Sequence, residues 1–150
     1  MIKKILFIGY GNPGRQDDGL GPALIKALED DSILADKVSL SSNYQLTVED
    51  AYDITQYDTV VFVDASLDSS PPFSFNEASA NDQQSLGSHQ LQPESVLQLC
   101  HTLYETKPEA FILAIRGYEF DAFDETLSPR AQGNLDKALA FTTKWISEHA

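Results

Sequence analysis

Three short segments of this sequence carry side chains able to hold a cation or move a proton. GYGNPGRQDDGLGP, residues 9–22, is a glycine-rich turn that ends in two adjacent acids, Asp17 and Asp18. A phosphate-cradling loop would place neutral or basic groups there, so the carboxylates argue against that use. Asp64 directly follows TVVFV, an unbroken β-branched and aromatic run. His89, in GSHQ, stands just ahead of a helical pattern, where the helix dipole disfavours imidazolium and favours the neutral, metal-ligating ring. Two carboxylates and one imidazole make a divalent-cation site with open coordination positions. Taken singly, each has an ordinary reading: an acid before a helix caps it, and a loop histidine is surface. It is their convergence that carries the functional reading.

Convergence requires a scaffold, and the patterning supplies one. KKILFIGY (3–10), KVSLSS (37–42), TVVFVDA (59–65) and AFILAIRGY (110–118) read as strands, the second weaker than the others. Between them lie helical spacings: Leu20, Ala23, Leu24, Ala27 and Leu28; TVEDAYDI (47–54) with Thr47 as N-cap; and PESVLQLCHTLYE (93–105) with Val96, Leu99, Cys100 and Leu103 on one face. The last helix opens with Ser128 as N-cap and Pro129 at its first position. Its inner face is Ala131, Leu135, Ala138, Leu139, Thr142, Trp145 and Ile146. Strands alternating with helices predict an α/β domain, a mostly parallel twisted sheet of about five strands between two helical layers. Residues 66–92 form a long polar connection holding only FSFNEA as a short edge strand. Such loops are functional or mobile, and this composition permits ordering only on docking. Ligands bind at the carboxyl ends of such a sheet, which brings Asp17 or Asp18, Asp64, Gln45 and Arg116 to one edge.

Composition bounds the rest. A chain of 150 residues suits one domain. Ten Lys and Arg against 23 Asp and Glu give a net charge of -13, which repels nucleic acid and anionic membrane and favours a basic or metal-bearing partner. The one cysteine, Cys100, excludes an internal disulfide and fits the reducing cytoplasm. Mid-helix on an apolar face, it is an inert thiol. The apolar run near the N-terminus is too short to span a membrane, and turn residues follow where a signal peptide would continue. His101 shares the Cys100 helix, His149 lies in the terminal tail, and neither has an acid at a useful spacing. No Ser stands in a G-x-S-x-G context, and there are no Cys pairs for a structural zinc.

GYGNPGRQDDGLGP, VDAS and GSHQL together resemble the three signature segments of the [NiFe]-hydrogenase maturation proteases. YQLTVEDA and AIRGYEFD…LSPRAQGNL are similar to the branch that serves cytoplasmic, cofactor-linked hydrogenases. The resemblance spans most of the chain and implies a three-layer α/β/α, phosphorylase/hydrolase-like domain over 1–150. It implies an endopeptidase that removes the C-terminal tail of a hydrogenase large-subunit precursor after nickel insertion; a monomer acting on that large partner is the default expectation. Nickel, carried by the substrate and replaceable by other divalent ions, would be recognised through an acid in the first segment, an aspartate after the third strand and a loop histidine. Counting from Asn12, these fall on Asp18, Asp64 and His89. Many members carry Glu at the first position, and the shorter Asp leaves Asp17 as an alternative ligand, otherwise a cap or outer support. Hydrolysis would proceed through a metal-polarised carbonyl or a metal-bound water. The glycines would let the loop backbone approach both peptide and cation.

Two other classes compete. GNPG after a first strand also begins peptidyl-tRNA hydrolases, but their Thr-Arg-His-Asn stretch is absent and the charge opposes tRNA. A non-enzymatic nickel-binding accessory protein or nucleotide binder is the other. Gly9, Gly11 and Gly14 satisfy G-x-G-x-x-G, yet KVSLSS ends without the acid that would hold a ribose.

Overall fold

The computed structural model describes residues 3–81 and 91–150. In β1 (Ile5–Tyr10), Ile5 and Phe7 enter one core while Leu6 and Ile8 enter another. β3 (Thr59–Ser66) repeats this, with Val61 and Val63 on one side and Val60 and Phe62 on the other. Strands apolar on both faces must be covered on both, and they are. α1 (Leu20–Asp30) and α5 (Pro129–His149) cover one face of the sheet. α3 (Val48–Asp53) and α4 (Pro93–Tyr104) cover the other. On the first face Trp145 meets the rings of Phe7, Phe75 and Phe111, tying α5 to three strands.

The sheet runs β2–β1–β3–β5–β4, with β2 at Ser39–Asn43, β5 at Glu109–Arg116 and β4 at Phe73–Glu77. The first four strands are parallel; β4 is an antiparallel edge against β5, where the FSFNEA pattern placed it. This is the expected three-layer α/β/α arrangement. Helix boundaries also follow the sequence: Ser128 accepts from the Ala131 N–H at the head of α5, and the Thr47 N–H donates to Asp50 at the head of α3. One helical turn, α2 (Ser32–Ala35), was not anticipated; Asp31 caps it by accepting from Ile33 and Leu34.

Two details differ. Leu103 is 61% exposed and Leu97 is buried in its stead, because Val96, Leu97 and Cys100 face the sheet while Leu103 lies in the last turn of α4. His149 belongs to that of α5 rather than to a tail, its ring stacked on Trp145 with Nδ1 2.8 Å from the Trp145 carbonyl oxygen. Among the described residues, no helix is long and apolar enough to cross a membrane.

The chain leaves β1 toward β2 on one side and returns to β3 on the other, so the strand order reverses between β1 and β3. A crevice opens there at the carboxyl ends. α1 crosses it closely: a Cβ at Gly21 would stand 2.6 Å from the Val63 carbonyl oxygen, so only glycine fits.

Asp17 locks the loop after β1 to the loop after β5. It is fully buried. Its Oδ2 accepts from the Tyr118 N–H at 2.8 Å, the Glu119 N–H at 2.9 Å and the Ser128 hydroxyl at 2.7 Å, and its Oδ1 from the Ser128 N–H at 2.7 Å. Burial alone would raise its pKa, but these donors outweigh it and hold the carboxyl below its ordinary range. Asp17 therefore caps no helix of its own segment; it supports Ser128, the N-cap of α5. With both oxygens engaged, it is in no position to be a cation ligand. Removing it strands four donors, two of them buried, and Asp17→Ala is expected to cost about 3 kcal/mol in urea unfolding. A change below about 1 kcal/mol would show the clamp to be dispensable.

Candidate functional site

The first acidic segment is shaped by its turns. Gly11 has φ +139°, and a Cβ there would collide with the Asp18 carbonyl oxygen. Asn12 Oδ1 accepts from the Gly14 N–H at 2.9 Å and folds the loop back. The Asn12 N–H then donates to Asp18 Oδ2 at 2.8 Å. Asp18 thus faces the β1 end of the crevice while its neighbour Asp17 is buried the other way.

Asp64 stands near the end of β3, in register with Ala114 of β5. It shares with Asp18 a cavity of about 90 Å³ that Tyr10, Gln45, Leu91 and Gln92 also line. Burial, before all else, pushes the Asp64 carboxyl up to about 7; the charges of Asp18 and Glu94 add to the rise, while Tyr10 and the Ala65 N–H oppose it. The Tyr10 hydroxyl is itself buried and raised in pKa, chiefly by desolvation and then by Asp64. It interacts with that carboxylate without completing a hydrogen bond of good geometry, and so is an unpaired buried hydroxyl. A cavity with two carboxylates, an amide oxygen and a hydroxyl offers oxygen ligands to a divalent cation.

Of the residues expected to converge, Asp18, Asp64 and Gln45 do so. Arg116 does not. It ends β5 opposite Ser66, one strand beyond Asp64. Its guanidinium donates to the carbonyls of Ser69 at 3.0 Å and Gly117 at 3.2 Å and lies over the Tyr118 ring. Those carbonyls, rather than an acid of the site, satisfy it. His89 lies outside the described residues. Among the described residues, no group of three His, Cys, Asp or Glu side chains is arranged to hold a metal ion. Cys100 is buried, and desolvation raises its thiol pKa, as expected of an inert core cysteine. Tyr10 and Glu94 were not singled out from sequence. Tyr10 lay between two glycines in a motif whose glycines drew the reading, and Glu94 looked like an ordinary first-turn acid of α4.

No family model and no curated protein matches the sequence. Solved structures do. The hydrogenase maturating endopeptidase HybD of E. coli superposes with a TM-score of 0.76 at 18% identity, covering 97% of this chain and 93% of that one. The [NiFe] hydrogenase maturation protease HycI of Thermococcus kodakarensis gives 0.72 at 18% identity, with coverage of 97% and 93%. A hydrogenase 2 maturation peptidase from a Thaumarchaeota archaeon gives 0.69 at 20% identity, with coverage of 96% and 98%. At such identities the likeness is one of fold: this chain has the fold of those proteins from end to end.

Asp64 sets a pH dependence. With its folded pKa near 7 and an unfolded value near 3.9, the folded state keeps a proton that the unfolded chain releases. Its contribution to stability is therefore full below about pH 4 and lost as pH rises through 7, a change of at most about 4 kcal/mol. Thermal unfolding at pH 5 and pH 8 is expected to show Asp64→Asn losing much less stability over that interval than the parent. Equal losses would place Asp64 in a solvated environment.

Proposed function

We propose that this protein is an endopeptidase that removes the C-terminal tail of a [NiFe]-hydrogenase large-subunit precursor once nickel is in place. The observation that carries the reading is that Asp18 and Asp64 line one cavity at the β1/β3 strand-order reversal. These are two of the three positions that the resemblance assigns to nickel recognition. The fold likeness to hydrogenase maturation proteases supports the same assignment.

In this reading residues 1–150 are one domain, monomeric and cytoplasmic, and nickel arrives with the substrate rather than residing in the enzyme. Asp18, Asp64 and His89 lend ligands to the nickel of the precursor, so an empty precursor is not engaged. The cation, polarising the scissile carbonyl or a water, supplies the activation that a Ser or Cys nucleophile supplies elsewhere. Gln45 donates or accepts at the cavity wall and helps place the tail. Asp64, charged with difficulty when the cavity is empty, gains a counter-charge when nickel enters, and its carboxylate form then becomes favourable.

Mass analysis of the precursor tail tests this reading. The parent is expected to trim nickel-loaded precursor and leave nickel-free precursor intact. Asp18→Ala, Asp64→Ala and His89→Ala are each expected to slow trimming by at least about 100-fold while the fold persists. Normal trimming by all three variants would refute the assignment. Tight nickel binding by the protein alone, without cleavage, would instead identify an accessory metal carrier.

A further inference from the structure

The solvent face of α3 carries side chains that belong in a core. Val48 and Tyr52, one helical turn apart, are 59% and 55% exposed. The Tyr52 ring meets Tyr104 of α4 at 5.5 Å between centroids, and Tyr104 is itself exposed. Four residues before Val48, Tyr44 is 73% exposed and lines the cavity that holds Asp18 and Asp64. Exposed aromatic and apolar side chains therefore stand at the lip of the candidate site, on α3 four residues further along the chain, and at the end of α4. Exposed Glu49 and Asp53 on α3 and Glu105 after α4 lie beside these residues in the chain.

Exposed apolar residues scattered singly need no explanation, but a connected set with an acidic border is the anatomy of a protein interface. Tyrosines are favoured there because they bury large area at little entropic cost. We infer that this face docks the folded body of the precursor whose tail enters the cavity, through a partner patch that is apolar at its centre and rimmed by Lys and Arg. The inference rests on the proteolytic reading and names the surface that reading lacks. Proximity in the chain selects the occupant: Tyr44 lines the cavity and lies four residues before Val48, so a partner covering the exposed side of α3 stands close to the tail. Charge excludes the rivals. A second copy would bring another -13 chain against this acidic border, and an anionic lipid surface would be repelled likewise.

Steady-state trimming of the cognate nickel-loaded precursor, with calorimetric binding of the same precursor, is the test. Tyr52→Lys and Val48→Lys are expected to raise KM and weaken binding at least tenfold, with kcat within twofold and melting temperature unchanged. Glu49→Lys combined with Asp53→Lys is expected to act in the same direction and to flatten the salt dependence of binding. Ile33→Lys serves as control: equally exposed on α2, it precedes the amino end of β2, away from the site edge. It is expected to change nothing. Tyr52→Lys and Val48→Lys variants that bind within twofold of the parent would overturn the docking face. If the parent binds precursor without trimming it, the proteolytic reading fails, and the docking face is still decided by whether Tyr52→Lys abolishes that binding. Self-association of the parent, lost in Tyr52→Lys, would assign the face to a second copy and overturn the proposal.

Discussion

Asp64 is a half-buried carboxylate at the rim of a parallel sheet with a second acid, Asp18, bordering the same small cavity. Nothing in its surroundings offsets that burial fully, and its proton affinity rises accordingly. Asp17 shows what compensation looks like. Next to Asp18 in the chain and fully buried, it receives four short hydrogen bonds, which hold its carboxyl below the ordinary range. One acid is satisfied by protein donors and holds the fold together. The other lacks an equivalent set of donors, and a cation would supply what they do not. The contrast separates a structural carboxylate from a candidate functional one.

The scaffold serves that contrast. The strand order reverses between β1 and β3, so the loop bearing Asp18 and the end of β3 bearing Asp64 lie side by side. Gly21 lets α1 approach β3 closely, and Gly11 lets the loop turn against the Asp18 backbone. The Asp17 clamp fixes the far side of that loop to the β5–α5 connection. Leu91 and Gln92, just ahead of α4, also border the cavity.

Most of the fold was legible because its signals are local. The unbroken apolar runs of β1 and β3, Ser128–Pro129 at the head of α5 and Thr47 at the head of α3 all declare themselves within a few residues. Leu103 misled because a helical period repeats indifferently into the last turn, where no partner remains to cover it. α2 escaped notice as a single capped turn. The site was legible in part. Asp18, Asp64 and Gln45 follow strand ends, and the ends of parallel strands meet by topology. Arg116 follows one too, yet its guanidinium finds backbone carbonyls nearby. The roles of Asp17 and Tyr10 depend on partners more than 50 residues away, which no spacing rule encodes.

The central claim is that Asp18 and Asp64 face one cation together. The most direct measurement is anomalous diffraction at the nickel edge from crystals soaked in Ni²⁺. The account predicts one principal peak within about 2.0–2.2 Å of a carboxylate oxygen from each of Asp18 and Asp64, with His89 completing the set. A principal peak elsewhere, or a cavity that stays without nickel in crystals that bind it at other carboxylates, would contradict it.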